Sequence, residues 1–255
     1  MTRVIKVGGR PQADPDLAPA LAAAHRSAAG SLVVVHGGGD EVSSLQQLFG
    51  SAAVFREGRR VTTVQDLEII RMALSGSANK RLVSALVGVG VPAIGLSGED
   101  AALLSATPLE RDVYGFVGVP ADVNVAVIEH LLAGGLVPVL SPVSRSTEGG
   151  DAATLNVNGD DAAAAIAVAL QAEELLLVSD VEGVLIDGVP AAALSPDDAL
   201  RLVDDGIAQG GMRAKLRAAR VALEGGVERV RISDIAAIEQ LDRGTILTRA
   251  GSVCA

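Results

Sequence analysis

Three places in the chain set glycines beside residues that can handle negative charge. Ile5-Lys6-Val7-Gly8-Gly9 puts a lysine just ahead of a glycine pair. His36-Gly37-Gly38-Gly39 follows the apolar run SLVVV. Gly210-Gly211 stands four residues before Lys215. Glycines lack a Cβ, so their backbone N–H groups can turn toward a phosphate or another oxyanion. Lysine is a compact point charge suited to a phosphoryl oxygen, whereas the arginine fork is broad and planar. Of 21 basic residues only Lys6, Lys80 and Lys215 are lysine, and two of these three lie beside glycine pairs. That bias points to phosphate handling. No Gly-Lys-Ser or Gly-Lys-Thr follows the glycines, and the spacing is not G-x-G-x-x-G, so neither the P-loop nor the dinucleotide fingerprint applies. A lipase-type oxyanion loop would need a G-x-S-x-G elbow. The chain has none, and its histidines number three, His25, His36 and His130.

Three further stretches could complete a site. In Gly58-Arg59-Arg60-Val61-Thr62, Arg60 follows a glycine turn and its fork suits bidentate grip of a carboxylate; a solvated arginine pair is the other reading. In Asn156-Val157-Asn158-Gly159-Asp160-Asp161, two of the four asparagines open an Ala-rich helix. Asn158 or Asp160 serves there as a cap or first-turn acid, or Asn156 holds a ligand while Asp160 orients lysines. Ser179-Asp180-Val181-Glu182-Gly183-Val184-Leu185 ends a buried strand in a glycine turn and offers a nucleotide platform.

The elements that must position these residues alternate strand and helix, which predicts an α/β fold with a mainly parallel sheet. Strands are expected over 3–9, 31–36, 91–98, 136–143, 173–180 and 244–248. Helices are expected over 13–29, 40–50, 61–76, 78–90, 122–135, 158–172, near 196–206 and over 210–226. Residues 103–119 read as short antiparallel strands. The clearest loop is 144–152, which divides the chain into an N-terminal lobe, 1–150, and a C-terminal lobe, 151–255. No low-complexity linker separates them, so one continuous sheet is expected.

At 255 residues, 49% of them hydrophobic and 2% aromatic, the chain predicts a large core of Ala, Val, Leu and Ile. A net charge of −10 argues against nucleic acid or an anionic membrane as partner. The single cysteine, Cys254, gives no disulfide framework or zinc cluster. Met1-Thr2-Arg3 leads straight into a strand without signal-peptide architecture. A reducing cytoplasm is the expected compartment.

Taken in order, K-x-G-G, H-G-G-G, G-x-R-V-T, GLSGED (95–100), GFVG (115–118), NVNGD, SDVEGV and GGMRAK resemble the acetylglutamate kinases of the amino acid kinase family, over residues 3 to 248. The resemblance implies a three-layer αβα sandwich that transfers a phosphoryl group from ATP, with Mg²⁺, to the side-chain carboxylate of N-acetyl-L-glutamate. The N-terminal lobe would bind the acid and form a homodimer; the C-terminal lobe would bind ATP. Lys6 and Lys215 match the lysines that stabilise the transferring group, and Asp160 the acid that holds them. Arg60 and Asn156 match the grip on the α-carboxylate. Gly9, Gly38 and Gly39 would offer N–H groups to phosphate and substrate. Asp180, Val181, Glu182, Gly183, Val184 and Leu185, with Ile207, Ala208 and Gln209, would line the nucleotide site. Mg²⁺ would be held chiefly by phosphates and water.

Departures from the family pattern are Thr63 where Asp is frequent, Gly159 where Ala is common, and Ser179 where Thr is. No helix is expected ahead of the first strand, so the resemblance implies a dimer only weakly inhibited by arginine. A kinase for acetylaminoadipate or a carrier-linked amino acid, and a binding homologue without turnover, are the rival readings.

Overall fold

The computed structural model describes residues 2–27, 31–148 and 154–248. Its first half runs β1 (Arg3–Val7), α1 (Leu17–Ser27), β2 (Leu32–His36), α2 (Gly39–Leu48), β3 (Phe55–Arg56), β4 (Arg59–Arg60), α3 (Val64–Ile70), α4 (Asn79–Gly88) and β5 (Ala93–Gly98). Then come β6 (Leu104–Pro108), α5 (Arg111–Tyr114), β7 (Val117–Val123), α6 (Val125–Ala133) and β8 (Val137–Ser146). The second half contains β9 (Thr154–Val157), α7 (Gly159–Ala169), β10 (Glu174–Val178), β11 (Leu185–Ile186), β12 (Val189–Pro190) and β13 (Ala193–Leu194). It closes with α8 (Pro196–Asp204), α9 (Gly210–Glu224), β14 (Arg229–Ser233) and β15 (Thr245–Thr248).

Among the described residues eleven strands form one sheet. Its order is β13-β15-β14-β10-β1-β2-β8-β6-β7-β9, with β5 also on β8. β1 pairs in parallel with β2 on one side and β10 on the other, so the sheet passes unbroken from one half of the chain to the other. Both strands are buried on two faces, as an all-parallel centre requires. Alternate residues face opposite layers. Val4, Val33 and Val35 pack with the alanines of α7 and α9. Ile5, Val7, Leu32 and Val34 pack with α1 and α4. Helices therefore cover both faces, giving three layers. Alanines such as Ala163, Ala167, Ala218 and Ala222 are fully buried where α7 meets α9. Small side chains there let two helices approach closely, and the near absence of aromatics costs the core nothing.

Several local expectations change. The helix expected over 61–76 is α-helical only to Ile70, and Arg71–Ala78 is a π-helical stretch leading into α4. Ser144–Ser146, read as loop, continues β8. The ladder between β5 and β8 shifts register after Ser97, where Pro142 removes a donor, and β8 then pairs with β9 and β6. β9 was hidden in the NVNGDD motif: Thr154–Val157 pairs with β7 and β8. Residues 149–153 of the dividing loop, and Cys254, lie outside the described residues.

Candidate active site

β1 and β2 end side by side, and each runs into glycines. Gly8 N–H donates to the Val178 carbonyl at 3.2 Å and Gly37 N–H to the Val7 carbonyl at 2.9 Å, which extends the ladders by one rung. Beyond that rung the backbone is released toward a cavity of about 400 Å³. Lys6, Gly9, Gly38, Gly39, Arg60, Asn156 and Asp160 all line it. This lies at the carboxyl ends of the strands, where open α/β sheets bind ligands. α2 and α7 begin at the same rim, at Gly39 and Gly159, so two helix dipoles present their positive ends to it.

The charged centre is a buried node of three. Lys6 Nζ lies 2.8 Å from Asp160 Oδ1, and Lys215 Nζ lies 3.4 Å from Oδ2. Lys6, Asp160 and Lys215 are 6, 3 and 8% exposed. The sequence pattern explains the convergence. Lys6 is on the α7 face of β1, two residues after Val4. Asp160 stands in the first turn of α7, whose N-cap Asn158 accepts from the Asp160 N–H at 2.8 Å. Lys215 comes from α9, packed on α7. Burial alone would raise the Asp160 pKa, but the two ammonium groups override it and hold the carboxyl below its ordinary value. Lys215 is shifted down, by burial first and by Lys6 next, with Asp160 opposing. The node carries one net positive charge in a site suited to anions.

Arg60 is fixed on β4. Its Nη2 donates to the Gly39 carbonyl at 2.8 Å and to Ser43 Oγ at 2.9 Å; its Nη1 donates to Gln46 Oε1. Three of its five N–H donors are engaged among the described residues, which leaves Nε–H and one Nη1–H for single bonds to an anion. Gln46 is itself oriented by Asp66 at 2.5 Å. Thr63, the departure noted in the sequence, caps α3 in a reciprocal capping box with Asp66. Thr62 joins the parts: its Oγ1 donates to the Arg60 carbonyl at 2.9 Å and accepts from Asn156 Nδ2 at 3.0 Å. Gly115 makes this possible. It bridges Thr62 at φ +70°, and a Cβ there would stand 2.2 Å from the Thr62 carbonyl oxygen.

His36 is buried at the end of β2. Burial pulls its pKa down to about 4; Lys6 adds to the shift and the bond to the Gly37 carbonyl opposes it. The neutral ring donates through Nδ1 to the Gly37 carbonyl at 2.9 Å and accepts at Nε2 from Asn79 at 3.1 Å. It is a buttress for the glycine loop.

The expected nucleotide residues divide. Gly9 lines the cavity with Lys6. Asp180 begins just past β10, beside the β1 loop, and pairs with Arg10 at 2.5 Å. Gly183 and Val184 are buried, and the Val184 N–H donates to Thr245 Oγ1 at 2.8 Å. Glu182 pairs with Arg243 at 3.0 Å. Leu185 and Ile207 are 46 and 58% exposed, apolar surface outside the cavity. Ala208 is buried, Val181 is half-buried, and Gln209 stands at the N-cap position of α9 with its side-chain amide donating to the Gly206 carbonyl at 2.9 Å.

Four residues at the site carry no motif signal. Gln46, fully buried, occupies an apolar-face position of α2 one turn after Val42, and that misplaced amide was a readable sign. Arg59 pairs with Asp161 at 2.7 Å, joining the β3–β4 turn to α7. Arg10, exposed, lies between Asp180 and Asp40. Gln12 contacts two glycine loops.

The sheet order, the three layers and the lysine–aspartate node at the strand ends define a small-molecule phosphotransferase architecture, and residues 1–234 match the amino acid kinase family. The chain belongs to that family. An acetylglutamate kinase of Chloroflexus aurantiacus is 43% identical over 248 residues, covering 96% of each chain. One of Rubrobacter xylanophilus is 44% identical over 229 residues, 89% of this chain and 86% of that protein. A crystal structure from Streptococcus mutans superposes with a TM-score of 0.87 at 31% identity, covering 97% of this chain and 98% of the other.

Proposed function

We propose that this protein phosphorylates the side-chain carboxylate of N-acetyl-L-glutamate with ATP, giving the acyl phosphate of arginine biosynthesis. The observation that carries the reading is the buried Lys6–Asp160–Lys215 node, whose Lys6 and Asp160 line one cavity with Arg60, Gly9, Gly38 and Gly39. The relatives named acetylglutamate kinase supply the substrate.

The reaction brings two anions together. A carboxylate oxygen of the acid forms a bond to the γ-phosphorus while the bond to the β–γ bridging oxygen breaks, and ADP leaves with that electron pair. The nucleophile is already ionised, so no general base is needed. Lys6 and Lys215 neutralise the oxygens of the transferring group. Asp160 holds both ammonium groups in place and supports the charge of Lys215. Arg60 and Asn156 hold the α-carboxylate, and the N–H groups of Gly9, Gly38 and Gly39 receive phosphate and substrate oxygens. Among the described residues no three His, Cys, Asp or Glu side chains gather as a metal site, and Asp160 is engaged by two lysines. This donor set fits Mg²⁺ carried by ATP phosphates and water, where it neutralises charge.

In this reading 1–150 hold the acid and the dimer surface, and 151–255 hold the nucleotide, with Asp180–Leu185 and Ile207–Gln209 around its base. The protein acts as a cytoplasmic homodimer. Exposed Val87 and Val89 at the end of α4 support an interface, and light scattering checks it; no helix among the described residues is long and apolar enough to cross a membrane. The functional test incubates the protein with MgATP and candidate acids and traps acyl phosphate as hydroxamate. Product from N-acetylglutamate is expected. Product only from acetylaminoadipate, or from no acid, overturns the assignment.

A further inference from the structure

The Gln12 carboxamide ties the two glycine loops together. Gln12 lies on the short 3-10 turn Arg10–Ala13 that leaves β1. Its Nε2 donates to the Gly8 carbonyl at 3.1 Å and to the Gly37 carbonyl at 2.8 Å. His36 Nδ1 gives the Gly37 carbonyl a second donor at 2.9 Å, so both acceptor positions of that oxygen are taken. The loops are in contact: a Cβ on Gly9 would stand 3.4 Å from both Gly38 Cα and Gly39 N.

A trans peptide keeps a carbonyl and the following N–H in one plane, pointing to opposite sides. Fixing the Gly8 and Gly37 carbonyls toward Gln12 therefore aims the N–H groups of Gly9 and Gly38 the other way. Gly9 and Gly38 line the cavity with Lys6, and Gln12 is not among its lining residues. Among the described residues neither of these two N–H groups has a hydrogen-bond partner, whereas the N–H groups of Gly8 and Gly37 are both engaged. Two aligned, unengaged donors facing an anion site are the arrangement that stabilises developing negative charge without reorganisation.

We infer that Gln12 is a positioning residue for phosphoryl transfer, which sets the direction of the Gly9 and Gly38 N–H groups from behind. The inference rests on reading the cavity as the phosphoryl-transfer site. Removing a direct donor of this kind costs on the order of 10²–10³ in rate. Gln12 acts at one remove, so a loss of about tenfold is expected on the same scale.

Gln12→Met keeps the length and deletes both donors. Its kcat with N-acetylglutamate and MgATP should fall about tenfold while KM for the acid stays within about twofold. Gln12→Glu sets a carboxylate against two carbonyl oxygens. Its kcat should fall further at neutral pH and recover in part as the pH is lowered, because protonation returns one donor. In ¹⁵N spectra, MgADP should shift the Gly9 and Gly38 amides of the wild-type protein and shift them less in Gln12→Met. A kcat within twofold of wild type, a loss confined to KM, or amide shifts unchanged in Gln12→Met overturns the inference. So does a failure of both variants to fold, which would make Gln12 a fold element. If the wild-type protein turns over no acetylglutamate, the proposed function fails, and the amide shifts still decide the role of Gln12.

Discussion

Asp160→Asn removes the only negative charge from a buried node that otherwise holds two ammonium groups. The lost attractions can be scaled from the two distances, 2.8 Å to Lys6 and 3.4 Å to Lys215. At an effective dielectric constant of about 20 they amount to about 6 and about 5 kcal/mol. Much of that gross attraction offsets the desolvation of three charges, and removing one partner of a buried pair typically destabilises by about 3–5 kcal/mol. Urea unfolding at pH 7 should show a loss of that size. The difference from wild type should shrink in acid. The folded pKa of Asp160 is depressed, so its contribution is present above the ordinary carboxyl value and is lost as pH falls through the folded pKa. A kinetic signature should accompany it. Lys215 is already shifted down by burial and by Lys6, and without Asp160 it loses its nearest support. The alkaline limb of kcat should move to lower pH. A stability loss under about 1 kcal/mol, with an unmoved alkaline limb, would refute the account of the node as a mutually dependent charge cluster.

Lys6→Ala and Lys215→Ala should each lower kcat far more than they raise KM for either substrate, measured by the hydroxamate assay; near-wild-type turnover would remove that lysine from the mechanism. Arg60→Lys should raise KM for N-acetylglutamate at least about tenfold, because an ammonium group has three donors in all and cannot keep Gly39, Ser43 and Gln46 and still reach a carboxylate. His36, at about 4 when folded, is depressed below its unfolded value near 6.5, so the unfolded chain binds the extra proton. Stability should fall by about 2 kcal/mol between pH 7 and pH 5 from this residue. Denaturation of His36→Asn at both pH values should show that component missing.

The sequence made the alternation of strand and helix legible because β1, β2 and β10 are short apolar runs closed by glycine or Ser-Asp. The node was legible for another reason: in an arginine-rich chain a lysine beside glycines is conspicuous. The π-helical stretch was not readable. Arg71–Ala78 carries apolar residues at spacings that a 3.6-residue period also accepts, and its contacts with the glycine loop, through Leu74 against Gly38, are with a segment distant in sequence. β9 escaped because four residues, two of them within a motif, give too short a pattern. Gln12 and Arg59 escaped because their partners are a backbone carbonyl pair and a helix far along the chain, and a single sequence records neither. The nucleotide stretch was legible as a turn, but the burial of Gly183 and Val184 depends on Thr245, about sixty residues on.

The unbroken sheet restricts how the molecule can deform. β1 is hydrogen-bonded along its whole length to β2, which carries the histidine-glycine loop, and to β10, which leads to Asp180. Opening the halves like jaws would tear ladders in the best-buried part of the core. The soft coordinate is torsion: a small change in strand twist rotates the two ends relative to each other and keeps every rung. The β3–β4 hairpin stands outside this sheet and is tied to α7 by Arg59 and Asp161. Stiffness at the centre thus holds the Lys6 end of β1 in register with the loops that leave β2 and β10.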